Sequence, residues 1–124
     1  FAEHAPEFNL WVQQQQATPR SGDELEGLAA EGADLFANQS FAGGQQCVFC
    51  HTVAGLQIQG KVGPDLSHVG GRVTIASAYL DNTPENLKAW LQDPSGVKPG
   101  ALMPKLDLAS DQVDALVAYL GSLK

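Results

Sequence analysis

The sequence predicts an all-α domain in which three main helices are joined by long loops. Three segments carry apolar residues at helical spacing, and each of them follows a residue pattern that starts helices. No stretch shows the alternation of apolar and polar residues that indicates a strand. Glycine and proline are concentrated at 55–72 and 93–104, so these segments are expected to be loops.

The helix starts follow from three local patterns. Ser21-Gly22-Asp23-Glu24 is a capping box, which predicts the start of the first main helix. Thr83 and Pro84 supply an N-cap and a first residue for the second helix, which Pro94 ends. Ser110 is expected to cap the last helix. The predicted inner faces are Leu25, Leu28, Ala29, Gly32, Leu35 and Phe36, then Leu87, Trp90 and Leu91, then Val113, Leu116, Val117 and Leu120.

The first 20 residues are expected to be an extension that precedes the folded domain. Residues 6–12 predict a short helix with aromatic and aliphatic side chains on one side. The glutamine run at 13–16 and the Ala-Thr-Pro-Arg that follows it are typical of a linker. The predicted division is therefore an extension at 1–20 and one domain at 21–124.

Composition and charge limit the classes of function. The chain has 124 residues and a formal net charge of −7, so a nucleic-acid partner, which needs a cationic surface, is not expected. No apolar run reaches the roughly 20 residues that a membrane helix needs, and no signal peptide is recognisable. Because the chain does not begin with Met, we expect a processed product or an excised piece.

One short motif carries the strongest chemical information, Cys47-Val48-Phe49-Cys50-His51. Cys-x-x-Cys-His is the attachment motif for c-type haem. Each thiol adds to one haem vinyl group, and a helical turn sets the two sulfurs apart by about the vinyl separation. The next residue, His51, then directs its imidazole at the iron. The motif predicts one covalently bound haem c.

Three other interpretations of the motif stay open on the residues alone. A thioredoxin-like redox pair would need a strand before it and a helix after it, and no such β/α pattern surrounds it. A structural zinc site would need a second ligand pair, and no other cysteine exists. A chance occurrence is possible for any five-residue motif.

The sole methionine, Met103, is the candidate for the second axial ligand of the iron. It lies in the loop Lys98-Pro99-Gly100-Ala101-Leu102-Met103-Pro104, where prolines would fix its thioether in place. A lone methionine is more often core filler, but that role would place it on a helix face. Imidazole and thioether together favour the ferrous state and raise the reduction potential.

The stretch from about Glu24 to Lys124 resembles class I cytochromes c. In that family the first helix carries glycine and an aromatic residue four positions later, here Gly32 and Phe36. Its last helix carries Leu-x-x-Tyr, here Leu116 and Tyr119. The resemblance implies that these two helices cross closely, with a third helix and long loops around one haem.

The resemblance also implies roles for three residues outside the motif. Gly63-Pro64-Asp65-Leu66 is similar to the family's proximal loop, in which the carbonyl of Pro64 would accept a hydrogen bond from His51. Arg72 matches an arginine that faces a buried haem propionate, and Trp90 falls where the family often has a tyrosine over the haem edge. By residue type alone, Arg72 also suits a plain surface position and Trp90 suits core or haem-wall packing.

The chain contains two further histidines, His68 and His4. His68 is the rival to Met103 because it is the only other histidine inside the predicted domain. By resemblance it follows the proximal loop, on the side of the haem opposite to Met103, so a loop or surface role is expected for it. His4 lies in the extension and is expected to be solvated.

A narrower resemblance links the chain to the C-terminal cytochrome c domain in subunit II of caa3-type haem–copper oxidases. Pro6-Glu7-Phe8 followed by Trp11 is similar to the end of that subunit's copper domain, and the loops at 63–72 and 99–104 are typical of the fused domains. The resemblance implies an external redox-protein donor, the upstream copper centre as acceptor, and an extracytoplasmic position on a membrane-anchored parent. Since the paired cysteines of the copper site are missing, no copper is expected in this chain.

The expected function is single-electron transfer, in which the domain itself is a carrier and the parent complex a cytochrome-c oxidase. A free-standing periplasmic carrier is the alternative that uses the same haem residues. A haem enzyme or gas sensor would need an open sixth position on the iron, and a thiol–disulfide protein would carry no haem.

Overall fold

The computed structural model describes residues 4–20 and 22–124. These residues form the helices and strands that follow. The helices are α1 (Ala5–Gln16), α2 (Gly27–Asn38), α3 (Cys47–Cys50), α4 (Pro84–Gln92), α5 (Pro94–Val97) and α6 (Ser110–Ser122). Single 3₁₀ turns lie at Gly22–Glu24, Ala42–Gly44 and Val69–Gly71, and the strands are β1 (Thr74–Ile75) and β2 (Leu80–Asp81).

The central feature of the fold is the close crossing of α2 and α6. A Cβ atom placed on Gly32 would lie 2.7 Å from the Cβ of Tyr119, and closer still to the backbone of Ala115. One turn further along α2, the rings of Phe36 and Tyr119 pack with their centroids 5.6 Å apart and their planes tilted by 59°. The predicted crossing of the first and last helices of the domain is confirmed.

The hydrophobic core lies between these two helices and the segments that pack against them. Its least exposed large side chains are Phe36, Leu116, Leu123, Val48 and Val113. Val48 belongs to α3, where it stands between the two cysteines and is only 1% exposed. Burial of this valine therefore anchors the cysteine motif to the core of the domain.

The second of the three predicted main helices, α4, begins and packs as predicted. The hydroxyl of Thr83 accepts a hydrogen bond of 3.1 Å from the backbone N–H of Asn86, and Pro84 is the first helical residue. Leu87 and Leu91 are buried against the core. The helix ends at Gln92, before Pro94.

Two predicted helix starts are corrected. The first main helix begins at Gly27 rather than within 21–24, because a 3₁₀ turn precedes it and Gly27 has a φ of +59°, a left-handed conformation that glycine tolerates. Ser21 itself lies outside the described residues. The last helix has Ala109 as its N-cap, so Ser110 is its first residue. Here the side chain of Gln112 accepts a hydrogen bond of 2.9 Å from the backbone N–H of Ala109.

Two loop predictions and the expected absence of strands are also corrected. The glutamine run is helical, since α1 continues to Gln16. The segment 93–104 contains the turn α5, whose N-cap Asp93 accepts a hydrogen bond of 3.1 Å from the N–H of Gly96. The strands β1 and β2 pair antiparallel, which the sequence did not indicate because two residues are too few for a visible alternation. In the part of the chain that the structure describes, no helix has the length and apolar character needed to cross a membrane.

Candidate functional site

The cysteine motif lies on a single helical turn that starts immediately after a tight bend. Gly43 and Gly44 adopt left-handed φ angles of 73° and 75°, and the N–H of Phe41 donates to the carbonyl of Gln45 over 2.8 Å. The chain therefore reverses just before α3. The N–H of His51 donates to the carbonyl of Cys47 over 2.9 Å, which closes the turn.

Both cysteines are free, half-buried thiols. Burial, with a smaller contribution from the neighbouring Cys50, raises the pKa of the Cys47 thiol to about 11. A redox-active Cys-x-x-Cys pair instead needs a lowered pKa, since the thiolate is the attacking species. The environment of Cys47 therefore argues against a thioredoxin-like function.

The imidazole of His51 is oriented by a backbone carbonyl. Its Nδ1 lies 2.8 Å from the carbonyl oxygen of Pro64. Because a carbonyl only accepts, Nδ1 must donate and therefore carries the proton. The lone pair of the neutral ring is then on Nε2, which is the atom left to bind a metal.

Gly63 lies against one side of the same ring. Its N–H donates to the carbonyl of Cys50 over 2.7 Å, which binds the proximal loop directly to the cysteine motif. A Cβ atom at this position would lie 2.6 Å from Cε1 of His51. Any larger residue would thus displace the imidazole, so glycine is required here for steric reasons.

A buried serine fixes the loop that carries Pro64. The hydroxyl oxygen of Ser67 accepts a hydrogen bond of 2.8 Å from the N–H of Ala54, and Ser67 is only 5% exposed. The Leu66 N–H also donates to the carbonyl of Thr52 over 2.8 Å. The segment after His51 and the segment after Pro64 are thereby held side by side.

Asp65 adds an electrostatic contribution to the same loop. Its carboxylate accepts a hydrogen bond of 2.8 Å from the N–H of Ser67. Burial alone would raise the pKa of this carboxyl, but the hydrogen bonds with Ser67 and the nearby Arg72 and His68 together hold the pKa below its usual value. The ionised form is therefore the one that the loop stabilises.

Arg72 is exposed and packs back onto the proximal loop. Its guanidinium donates a hydrogen bond of 2.5 Å to the backbone carbonyl of Asp65. In sequence this carbonyl follows that of Pro64, so one loop supplies an acceptor to His51 and the next acceptor to Arg72. A propionate contact for Arg72 remains a prediction.

Met103 lies in a loop that is held at both ends. It is half-buried and packs against the core, and Leu106 just after it is buried. Before it, the ammonium group of Lys98 donates to the carbonyl of Ala76 over 3.0 Å, in the turn between β1 and β2. Trp90 on α4 is also half-buried and packs against the same core. Roles for Met103 and Trp90 towards a haem remain predictions.

The other histidine of the domain has a structural partner. Nδ1 of His68 donates to the backbone carbonyl of Lys124 over 2.9 Å, which ties the loop after Asp65 to the end of α6. This contact agrees with the loop role expected for His68. Within residues 4–20 and 22–124, no three His, Cys, Asp or Glu side chains gather as a metal site.

Sequence reasoning missed Ser67 and the steric role of Gly63. A signal for Ser67 exists in Asp65-Leu66-Ser67, because Asp commonly accepts a hydrogen bond from the backbone N–H two residues later. The partner of the Ser67 hydroxyl, Ala54, is 13 residues away, and no local pattern indicates that contact.

Comparisons with known proteins agree with this geometry. Residues 29–124 match the family model for cytochrome c. The chain is 37% identical over 119 residues to cytochrome c oxidase subunit 2 of Alkalihalophilus pseudofirmus, a match that covers 95% of this chain and 32% of the relative. It is also 37% identical to the subunit 2 of Bacillus sp. strain PS3 and 32% identical to that of Bacillus subtilis, over 95% and 97% of this chain. The chain thus spans about a third of the length of these relatives.

Two solved structures share the fold at low sequence identity. The c-type cytochrome SorU from Sinorhizobium meliloti superposes with a TM-score of 0.52 at 22% identity, covering 77% of this chain and 90% of SorU. A chain of SoxXA from P. pantotrophus gives a TM-score of 0.59 at 16% identity, covering 86% of this chain and 98% of the other. Both likenesses support the helical cytochrome fold and nothing finer.

Proposed function

Because the chain belongs to the cytochrome c family, which transfers electrons through haem, we propose that it binds one haem through Cys47 and Cys50 and ligates the iron with His51 and Met103. The observation that carries this proposal is the hydrogen bond between Nδ1 of His51 and the carbonyl of Pro64. It leaves Nε2 as the free donor atom, as an axial ligand requires.

The residues present suit a covalently attached haem. Two thiols on one helical turn offer the attachment points, and the adjacent imidazole offers a nitrogen ligand. The thioether of Met103 offers a second, softer ligand. When bound, the haem supplies a one-electron Fe(III)/Fe(II) couple.

The protein's own residues then hold the ligands in place. The Pro64 carbonyl increases the basicity of Nε2 by accepting a hydrogen bond from the Nδ1–H of His51, and the absence of a side chain at Gly63 leaves room for the ring. Fixed ligands need little rearrangement when the charge on the iron changes, and this keeps electron transfer fast. We assign Arg72 to a haem propionate and Trp90 to the wall of the haem site.

The proposed place of this domain is in subunit 2 of a terminal oxidase. Relatives with that name align with nearly the whole chain, while the chain matches only about a third of their length. In this scheme an external redox protein reduces the domain, and the domain passes electrons to a copper centre in the preceding part of the subunit. The domain would face the extracytoplasmic side of the membrane. It would be a carrier within a cytochrome-c oxidase.

The test of this proposal is a haem assay on denatured protein. The chain is expressed with a haem-attachment system and exported, then denatured and measured as the pyridine haemochrome. We expect one haem per chain that stays with the polypeptide, because thioether bonds survive denaturation. A double variant, Cys47→Ser with Cys50→Ser, should release all haem, and haem retained by that variant would contradict the attachment assignment.

A further inference from the structure

Three consecutive residues between β1 and β2 have φ angles in the left-handed region, and none of them is glycine. The angles are 53° at Ala76, 58° at Ser77 and 64° at Ala78. A positive φ brings the Cβ atom of an L-residue close to its own backbone, so residues other than glycine usually adopt it singly rather than in a row. Such a conformation persists only where contacts with the surrounding structure favour it. We call residues 76–78 the left-handed turn.

Contacts from two parts of the chain hold the left-handed turn. Within the hairpin, β1 and β2 pair antiparallel, and the N–H of Tyr79 donates to the carbonyl of Ile75 over 3.1 Å. From the segment after α5, the ammonium group of Lys98 donates to the carbonyl of Ala76 over 3.0 Å and lies 5.7 Å from the centre of the Tyr79 ring. Both contacts of the ammonium group favour the conformation that presents the Ala76 carbonyl to it.

Lys98 is also the first residue of the loop that leads to Met103. Its N–H donates to the carbonyl of Pro94 over 2.9 Å, which fixes its backbone to α5. Its carbonyl accepts a hydrogen bond of 3.0 Å from the N–H of Ala101, and this closes a turn in which Gly100 has a φ of 86°. Met103 follows two residues after that turn. The backbone and the side chain of Lys98 therefore connect the Met103 loop with α5 and with the left-handed turn.

From these contacts we infer that Lys98 is a positioning residue for Met103, and that the left-handed turn determines how firmly Met103 is held on the iron. The inference rests on the proposed function, in which Met103 is the second axial ligand. A change of the turn to a right-handed conformation would rotate the carbonyl of Ala76 away from Lys98 and remove a restraint on the loop. Release of the turn and release of Met103 are therefore coupled, and each favours the other.

The test measures how readily imidazole displaces Met103 in the complete, haem-loaded ferric chain. Imidazole is mostly uncharged at about pH 8, so the loss of a lysine charge has little effect on its approach. Binding is followed by the disappearance of the weak red charge-transfer band of the bound thioether. We expect imidazole to bind Lys98→Leu at least about fivefold more tightly than wild type, because the apparent affinity rises with the fraction of molecules in which Met103 is released.

Lys105→Leu is the matched control, because it removes the same charge from the same loop, two residues after Met103. The Nζ atom of Lys105 lies 4.0 Å from a carboxylate oxygen of Asp93, and both side chains are about half exposed. Because exposed ion pairs contribute little, we expect the imidazole affinity of Lys105→Leu to change less than about twofold. Equal increases in Lys98→Leu and Lys105→Leu would overturn the inference.

Variants of the exposed Ser77 change the left-handed turn while leaving Lys98 and Met103 in place. Ser77→Gly removes the cost of the positive φ, and Ser77→Val increases it, because a β-branched side chain is least compatible with that conformation. We expect imidazole to bind the Val variant at least about threefold more tightly than the Gly variant. Equal affinities would overturn the role of the turn. When Lys98→Leu is also present, the difference should fall below about twofold, and a difference that persists in full would overturn the role of Lys98.

Two observations separate this inference from the proposed function. If the wild-type chain shows no red band, methionine ligation fails, and the inference fails with it. If the band is present but imidazole binds Lys98→Leu and wild type equally, only the inference is overturned. Hydrogen exchange of the Tyr79 amide tests the turn independently of the iron: it should be at least about threefold faster in Lys98→Leu than in Lys105→Leu, and equal exchange would contradict a restraint of the turn by Lys98.

Discussion

The carbonyl oxygen of Pro64 lies 2.8 Å from Nδ1 of His51, across a loop of 12 intervening residues. The segment that carries Pro64 is held in place by hydrogen bonds of the Gly63 N–H, the Ser67 hydroxyl and the Arg72 guanidinium. The orientation of a single imidazole ring thus depends on several contacts made by backbone atoms. Substitutions in the loop should therefore change the properties of the iron ligand without touching the iron.

The first prediction concerns Gly63. In Gly63→Ala the new methyl group would lie 2.6 Å from Cε1 of His51, so the ring must tilt or the loop must move. We expect a weaker His51–Pro64 hydrogen bond and a lower basicity of Nε2, which shifts the midpoint potential upwards. A spectroelectrochemical titration of the haem-loaded protein measures this shift.

Gly121→Ala is the matched control for Gly63→Ala, because nothing lies within 4 Å of a Cβ at that position and its φ is not left-handed. The control should keep the wild-type potential. Equal potentials for Gly63→Ala and Gly121→Ala would show that the ring does not depend on this contact.

The second prediction concerns Ser67. Ser67→Ala leaves the N–H of Ala54 without its acceptor in a part-buried position. We therefore expect the free energy of unfolding to fall by about 1–3 kcal/mol. Urea denaturation of the haem-loaded chain measures the change. The exposed Ser95, whose hydroxyl lies 3.4 Å from Asp93, provides the control: Ser95→Ala should cost less than about 0.5 kcal/mol. Similar losses in both variants would contradict the role given to Ser67.

The main helices could be predicted from the sequence because their signals are local. Apolar spacing located α2, α4 and α6, and the Thr83-Pro84 pair located the start of α4 to the residue. The predicted starts of α2 and α6 are wrong, because a serine close to a helix start fits the N-cap pattern from which the start is predicted. In α6 the capping contact is made instead by Gln112, a residue inside the helix.

Contacts between distant segments of the chain could be predicted only through the family resemblance. The Pro64–His51 hydrogen bond and the α2–α6 crossing were expected for that reason. The contacts of Ser67 with Ala54 and of Lys98 with Ala76 were not expected, since the partners are 13 and 22 residues apart and no periodic pattern relates them. Spacing in the sequence determines neighbours along a helix, but the path of a loop depends on the whole fold.

The third prediction concerns the helix crossing. Gly32→Ala would gain up to about 1 kcal/mol of helix propensity. However, its Cβ would overlap the backbone of Ala115 and approach the Cβ of Tyr119 to 2.7 Å. Since backbone cannot move aside as a flexible side chain does, we expect a net loss of about 1–3 kcal/mol or more in thermal unfolding. Gly121→Ala, in open space on α6, should not destabilise, and a stable Gly32→Ala would refute the close crossing.

The fourth prediction concerns acid stability. Burial opposes ionisation of Asp65, but the hydrogen bonds with Ser67 and the nearby Arg72 and His68 outweigh it and lower the pKa of this carboxyl in the folded chain. The ionised carboxylate therefore stabilises the fold above the ordinary pKa of 3.8. That contribution should disappear as the pH falls from about 4 through the lower folded value. In Asp65→Asn the unfolding free energy should therefore depend less on pH below about 4. Asp107→Asn makes the same charge change at an exposed site and is the matched control. Identical curves for both variants would contradict the prediction.

The last prediction concerns Met103 as the second axial ligand. A thioether bound to ferric haem gives a weak red charge-transfer band, and Met103→Ala removes the only thioether in the chain. We expect the band to vanish and the midpoint potential to fall, since loss of the methionine ligand destabilises the ferrous state. Val97→Ala trims an aliphatic side chain on α5, before the same loop, and should retain the band. Survival of the band in Met103→Ala would rule out methionine ligation and make His68 the residue to test next, although its Nδ1 is already engaged by the carbonyl of Lys124.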